Sequence, residues 1–476
     1  MTTASAPAAA SDQPMWTLAA AAQAIGAHLN GADRSFAGVT TDSRGDCRER
    51  LFIALRGERF DGHDYLAEAA ANGAVAALVE QTLAEQTVDS PLPQLVVADS
   101  RRALGQLAAA WRDRIASRVI AITGSNGKTT VKEMLTAILA GVGPTRATVG
   151  NLNNDIGMPL TLLAARDEPF LILEMGANHH GEIATFTEIA RPDVALITNA
   201  GRAHLEGFGS VEGVAHAKGE IARGLPADGT FVFMADVPWT PLWQQLAEGR
   251  PTLSFGTGPS AQVHADEQAI TQTWDADGFR SRFRARINGC ELEIALPLAG
   301  SHNVRNALAA IAGATALGID PEAIRSGLER LHPVKRRLQP RRTLSGAKLI
   351  DDSYNANPDS LAAAVDVLTA LPRASGGRHL LVLGDFSELG ADSVEAHHEM
   401  GVAARAAGAS ALYAVGTLSQ HAVAGFGEGS RHFTDQPSLI NTLSTDTGPA
   451  DVLLIKGSRR AAMDRVADAL CADTET

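Results

Sequence analysis

Short apolar runs closed by glycine, asparagine or aspartate alternate along this chain with stretches whose apolar residues return at helical spacing. RVIAIT, at 118–123, is apolar and rich in β-branched residues, the pattern of a strand buried on both faces. Beyond a glycine-containing loop, Val131, Met134, Leu135, Ile138 and Leu139 stand at i, i+3, i+4, i+7 and i+8, and so share one face of a helix. FLILEMG (170–176) and VALITNAG (194–201) read as further strands. Helical stretches between these runs predict a mainly parallel sheet.

The same patterning divides the chain into three α/β blocks. In the first, 16–29 and 64–74 read as helices and 51–55, 74–79 and 94–99 as strands, bounded by Gly, Pro and Asp. A helix over 100–115 leads into the second block, which holds the parallel strands and closes with a helix at 302–318. Within it, 228–298 carries short strand-like runs (TFVFM, SRFRARI, LEIALPL) and is expected to be an appended antiparallel section. The third block opens near LHPVKRRLQP, and its strands at 347–352, 379–385, 411–416 and 452–457 alternate with helices, as in a doubly wound, Rossmann-like sheet. The expected domains are therefore 1–98, with a frayed tail over 1–14, then 99–332 and 333–476.

Composition agrees with this division. A chain of 476 residues is too long for one core, and about two to four domains are expected. The net charge of −13 restricts any nucleic-acid surface to a local patch, and no such partner is expected. Cys47, Cys290 and Cys471 are scattered, which suits reduced thiols in a cytosolic protein. No apolar run approaches the roughly 20 residues of a membrane span. The first residues have neither the basic nor the apolar segment of a secretory signal.

The chemistry centres on AITGSNGKTT, at 121–130. The common phosphate loop reads G-x-x-x-x-G-K-[ST]. Here its first glycine is missing: Ile122 stands in that place, and Gly124 comes too late. The context is nevertheless right, a strand before and a helix after. A helix N-terminus offers unpaired N–H groups and partial positive charge. Lys128 could reach terminal phosphates, and Thr129 or Thr130 could bind Mg²⁺ through a hydroxyl. A glycine-requiring turn is the plainer reading, but it does not account for the cation and both hydroxyls. Glu174 closes a neighbouring strand, where a carboxylate is well placed to hold Mg²⁺. On residues alone His204 is a metal ligand or a surface histidine, and Lys218 a solvated helix lysine.

Taken together, these residues resemble the Mur ligases, ATP-dependent amide-bond enzymes of bacterial cell-wall precursor synthesis. The family's short loop reads T-G-[ST]-x-G-K-T-[ST], and Thr123 to Thr130 fit it. EMGANHHGEI, TNAGRAHLEGFGS, AKGEI, GSHNVRNALAA, DDSYNANPDS and LLIKGSR follow in the family's order. The resemblance implies ATP held by Gly124, Ser125, Asn126, Gly127, Lys128, Thr129, Thr130, Asn306, Arg337 and Asp352, with Asn306 at the adenine edge and Asp352 at the ribose. It implies Mg²⁺ on Thr129, Glu174, His204 and a carbamylated Lys218, and catalytic parts for Lys128, His204, Lys218 and Arg337. Thr41, Asp42, Ser43 and Arg44 would touch a UDP group, and Asn355 and Lys456 the substrate.

TTDSR and FIALRGERFDGHDYLAEAAANGA resemble the nucleotide-sugar domain of the types that act late in the series. The D-N-P-R motif of many diaminopimelate-adding types is absent. The resemblance therefore implies the type that joins D-alanyl-D-alanine to UDP-N-acetylmuramoyl-tripeptide, as a cytoplasmic monomer. Its rivals are a diaminopimelate-adding ligase, a folylpolyglutamate synthetase (usually G-T-N-G-K-G-S in the loop) and a regulatory P-loop protein. Two residues depart from the family. Arg336 stands where glycine is usual, so either Arg336 or Arg337 could meet phosphate, and Phe386 replaces a common methionine.

Overall fold

The computed structural model describes residues 14–80, 92–275, 278–287, 289–387 and 389–471. Residues 1–13 of the expected tail lie outside the described residues. Three sheets carry the fold. The N-terminal sheet has the order His28–Asn30, Gln94–Val97, Ala76–Glu80, Arg50–Ile53, Gly38–Thr40, parallel except for the first pair. The expected helix over 16–29 is shorter than its apolar pattern. Thr17 caps it by accepting from the Ala20 N–H at 3.2 Å, and Gly26, left-handed at φ 66°, ends it. What remains is Leu18–Ile25, with His28–Asn30 drawn into the sheet.

The central sheet has ten strands among the described residues. From one edge run Thr145–Ala147, Phe170–Glu174, Arg118–Thr123, Val194–Ile197, Thr230–Met234, Thr252–Gly256 and Val263–Ala265, all parallel. The expected antiparallel section is corrected here. Its first three strands extend the parallel sheet, and only Thr271–Asp275, Gly278–Ile287 and Cys290–Leu296 form an antiparallel meander. The short runs of 228–265 do not show their helical crossovers clearly, since Thr240–Leu246 is a single brief helix. Strand Arg118–Thr123 is buried on both faces, as its sequence predicts. Val119 and Ala121 enter the core shared with the N-terminal domain, and Ile120 and Ile122 enter the core under helices Lys128–Ala140 and Ser301–Ala316.

The C-terminal sheet runs Gln339–Arg342, Lys348–Asp352, Val452–Lys456, His379–Gly384, Ala411–Val415, Ser430–Phe433, parallel apart from its first strand. The two outer strands are polar and were not apparent from apolar runs. All three cysteines are free thiols. Among the described residues no helix is long and apolar enough to cross a membrane.

Candidate active site

The carboxyl ends of the central strands and the facing edge of the C-terminal domain enclose a cleft of ≈ 1290 Å³. Parallel α/β sheets bind ligands at this end because strand ends, loops and helix N-termini converge there. The loop after Arg118–Thr123 forms the cleft floor. Gly127, left-handed at φ 80°, turns the chain into helix Lys128–Ala140, and a Cβ there would lie 2.3 Å from Asn306 Oδ1. Gly124 has φ 145°, and a Cβ would lie 2.0 Å from Thr198 Oγ1. The neighbouring strand end straps the loop down. Ser125 N–H donates to Asn199 O at 3.1 Å, Asn126 N–H to Asn199 Oδ1 at 2.9 Å, and Thr198 Oγ1 to Asn126 O at 2.6 Å. The short loop is thus held as a rigid turn with its helix N-terminus facing the cleft.

Lys128 Nζ folds over this turn and donates to Gly124 O at 2.6 Å and Ser125 O at 3.3 Å. Burial holds its ammonium below the usual lysine range; Arg337 adds to this and Glu174 opposes it. Arg337 crosses from the C-terminal domain. It stacks on Tyr354 at 4.3 Å and donates to Thr129 Oγ1 at 3.2 Å. Two further contacts close the same seam. Asn357 Nδ2 donates to Asn126 Oδ1 at 2.7 Å, and Arg202 donates to Asp359 through its main-chain N–H at 2.7 Å and its Nε at 3.0 Å.

The two adjacent arginines diverge in this arrangement. Arg336 has φ 63°, a backbone position that glycine takes without strain, and its guanidinium turns away to Asp464 at 2.7 Å and Asp468 at 3.2 Å. Arg337 alone of the two meets the loop.

The residues fit a hard divalent cation. Glu174 is 2% exposed; Oε1 accepts from Asn153 Nδ2 at 2.9 Å, while Oε2 is buried with no hydrogen-bond partner. A carboxylate oxygen without a donor is costly unless a cation or water meets it. His204, at φ 54°, lines the same cleft, as do Thr129 and Thr130. Among the described residues no cluster of three His, Cys, Asp or Glu is present. One buried carboxylate oxygen beside threonine hydroxyls suits Mg²⁺, which takes one or two carboxylates plus phosphate and water oxygens.

Lys218 is not on the cleft surface. It is 1% exposed, lies 3.5 Å from Ala177 O and 5.0 Å from the Phe208 ring, and makes no salt bridge among the described residues. Burial, aided by the charge of Lys128, lowers its pKa to about 7, against the pull of Glu182 and Glu220. The solvated-lysine reading is thereby corrected.

Asp352, Asn355, Lys456 and Asn306 all line the cleft. Lys456 donates to Asp352 Oδ2 at 2.5 Å and Asn355 O at 3.1 Å, and Asp352 Oδ1 accepts from Leu338 N–H at 3.1 Å. Thr41, Asp42, Ser43 and Arg44 lie apart from it, on the loop after Gly38–Thr40. There Arg44 pairs with Asp42 at 2.9 Å, and Ser43 Oγ donates to Glu68 at 2.5 Å. The sequence reading missed Asn153, Thr198, Asn199, Asn357 and Asp359. The last four stand inside runs quoted for other reasons.

Three family models match the chain in turn. The Mur ligase family catalytic domain matches 35–112, the Mur ligase middle domain 122–314, and the Mur ligase glutamate ligase domain 336–459. UDP-N-acetylmuramoyl-tripeptide–D-alanyl-D-alanine ligase of Escherichia coli is 44% identical over 457 residues, covering 95% of this chain and 98% of that one. The chain belongs to the Mur ligase family. Among solved Mur ligases, a crystal structure of MurF from Acinetobacter baumannii superposes with a TM-score of 0.87 at 37% identity, covering 96% of this chain and 99% of that one. MurF of Thermotoga maritima, solved in complex with ADP, superposes with a TM-score of 0.79 at 28% identity, covering 91% and 96%. The three-domain Mur ligase fold is thus shared over more than nine-tenths of the chain.

Proposed function

We propose that this chain is the ATP-dependent ligase that adds D-alanyl-D-alanine to UDP-N-acetylmuramoyl-tripeptide in peptidoglycan precursor synthesis. One observation carries the reading of the chemistry: a phosphate loop on one domain meets an arginine from another at Thr129 Oγ1. The relative at 44% identity carries the reading of the substrates. The rival types are disfavoured by the same two observations. A regulatory P-loop protein leaves the third domain's arginine without a task.

A carboxylate is a poor acyl donor. The tripeptide's terminal carboxylate oxygen attacks the γ-phosphorus of ATP, the bond to the β-phosphate oxygen breaks, and ADP leaves. The acyl phosphate so formed has a good leaving group. The free amine of D-alanyl-D-alanine then attacks its carbonyl carbon. The tetrahedral intermediate expels inorganic phosphate, and the amine loses a proton to leave the amide. Phosphoryl transfer between anions rests on positioning and charge neutralisation. The loop N–H groups from Gly127 to Thr130, beyond the two donated to Asn199, bind the phosphates, and Lys128 and Arg337 supply positive charge from two domains. Thr129, Glu174 and His204 would hold Mg²⁺, which would supply further charge neutralisation. Contacts across the seam keep water from the acyl phosphate. Asn306 and Asp352 are assigned to adenine and ribose, and Asn355 and Lys456 to the acceptor. Thr41, Asp42, Ser43 and Arg44 are assigned to the UDP group. The same reading takes the enzyme as a monomer of the cytoplasm, where its substrates are.

Lys218 is assigned a carbamate. Carbon dioxide reacts only with the neutral amine, and a lysine buried to a pKa of about 7 supplies that form. The carbamate offers hard oxygen to the cation where an ammonium would repel it. Phosphate release tests the whole reading. It should require the tripeptide nucleotide and D-alanyl-D-alanine together; release with ATP alone, at the same rate, would overturn it.

A further inference from the structure

Lys132 is buried, at 3% exposure, on the same helix as Lys128 and four residues beyond it. A lysine is almost never fully buried without a dedicated partner. Its Nζ donates to the main-chain oxygen of Thr148 at 2.8 Å and meets Glu133 at 2.8 Å. Thr148, itself 1% exposed, opens the loop that follows strand Thr145–Ala147. Its N–H donates to Ile172 O at 3.0 Å, and its Oγ1 accepts the N–H of Glu174 at 3.0 Å. Five residues on, Asn153 Nδ2 holds Glu174 Oε1 at 2.9 Å, while Asn153 O accepts from Gly176 N–H at 2.8 Å. Glu174 is therefore gripped at its main chain by one end of this loop and at its carboxylate by the other. Both grips leave Oε2 as the oxygen without a donor.

We propose that Lys132 is a positioning residue for the cation site: it anchors Thr148, and through the Thr148–Asn153 loop it fixes the Glu174 carboxylate with Oε2 presented to the cation. The inference rests on the phosphoryl-transfer reading, which gives Glu174 its cation. Its physical logic is that of outer-shell groups in metal sites, which orient a ligand they do not replace. One helix then serves both halves of the site. Its first residue, Lys128, faces the phosphates, and its next turn sets the carboxylate arm. A lysine suits the anchor because its long stem packs in the core while its ammonium reaches a carbonyl.

The test is equilibrium binding of Mn²⁺ to the full chain in the presence of ADP, read by electron paramagnetic resonance. Lys132→Met keeps the stem and removes the ammonium. It should weaken Mn²⁺ binding by about tenfold or more, with metal-free ADP affinity unchanged. The same substitution in a Glu174→Gln background should change Mn²⁺ affinity no further, because the group it positions is gone. Thr148→Val, which removes the acceptor of the Glu174 N–H at nearly constant volume, should reproduce the loss and serves if Lys132→Met does not fold. Wild-type Mn²⁺ affinity in folded Lys132→Met would overturn the proposal, as would wild-type affinity in Thr148→Val, which would break the path through the loop. So would an equal further loss in the Glu174→Gln background, which would mark a general structural effect. If the unsubstituted chain with ADP fails to bind Mn²⁺ at all, the phosphoryl-transfer reading itself falls, and this inference with it.

Discussion

Replacing Arg337 and Arg336 separately should give opposite results, although the two are adjacent. Arg337 reaches Thr129 Oγ1 at 3.2 Å and stacks on Tyr354 at 4.3 Å. On the proposed reading, Arg337→Ala removes a cation that faces the transferring phosphoryl group. Loss of one such contact costs about 3–4 kcal/mol in the transition state, about two to three decades in kcat. Its stacking contributes about 0.5–1 kcal/mol to the fold, so Tm should fall by only about 1–4 °C. Arg336 holds Asp464 at 2.7 Å and Asp468 at 3.2 Å from a left-handed backbone position, φ 63°. Arg336→Gly loses ion pairs of about 0–1 kcal/mol each and relieves about 1–2 kcal/mol of backbone strain. Its turnover should stay within about threefold of the parent. Steady-state phosphate release with both substrates, alongside thermal unfolding, reads both variants. If Arg336→Gly loses as much activity as Arg337→Ala, or Arg337→Ala loses less than about threefold, the assignment of the phosphate-binding arginine is wrong.

Gly127→Ala imposes about 1–2 kcal/mol of left-handed strain and drives a methyl group to 2.3 Å from Asn306 Oδ1; calorimetry should show ADP affinity down by about tenfold or more in a folded protein. Lys218→Ala should be nearly inactive and partly recovered by added short carboxylic acids, which replace the carbamate oxygens; a fully active variant would refute the carbamate. Stability should also fall as the pH drops below about 6.5. Burial, with help from Arg305 and Lys456, depresses His302 to about 3, and burial depresses His397 as well. The unfolded chain therefore takes up these protons first, and the native state loses stability on the acid side. Tm against pH should be flatter for a His302→Gln, His397→Gln double variant.

The legible parts of the molecule were those where one local pattern decides the structure. Strand Arg118–Thr123 and the face set by Val131, Met134, Leu135, Ile138 and Leu139 needed only periodicity, and both cores use those residues. The loop was legible because its glycines, lysine and threonines are contiguous. The parallel extension over 230–265 was not, because direction depends on crossovers that leave little mark in so short a stretch. Gln339–Arg342 and Ser430–Phe433 are sheet edges with mostly polar side chains, and pairing with a neighbour alone makes them strands. Asn153 and Asp359 belong to the same class of difficulty. Each acts on a residue distant in the chain, Glu174 or Arg202, and nothing local marks an asparagine or an aspartate for that task. Lys218 shows the reverse: its helix looks solvated in sequence, and only packing against Ala177 and Phe208 reveals a buried amine.

The most direct test of the central claim is the mass of the product. The protein is incubated with ATP, Mg²⁺, UDP-N-acetylmuramoyl-tripeptide and D-alanyl-D-alanine, and single amino acids are offered in parallel. The account predicts one product, heavier than the tripeptide nucleotide by the dipeptide less one water, with one ADP and one phosphate formed per product. Transfer of a single amino acid in preference to the dipeptide, or ATP consumed without any gain in mass, would contradict it.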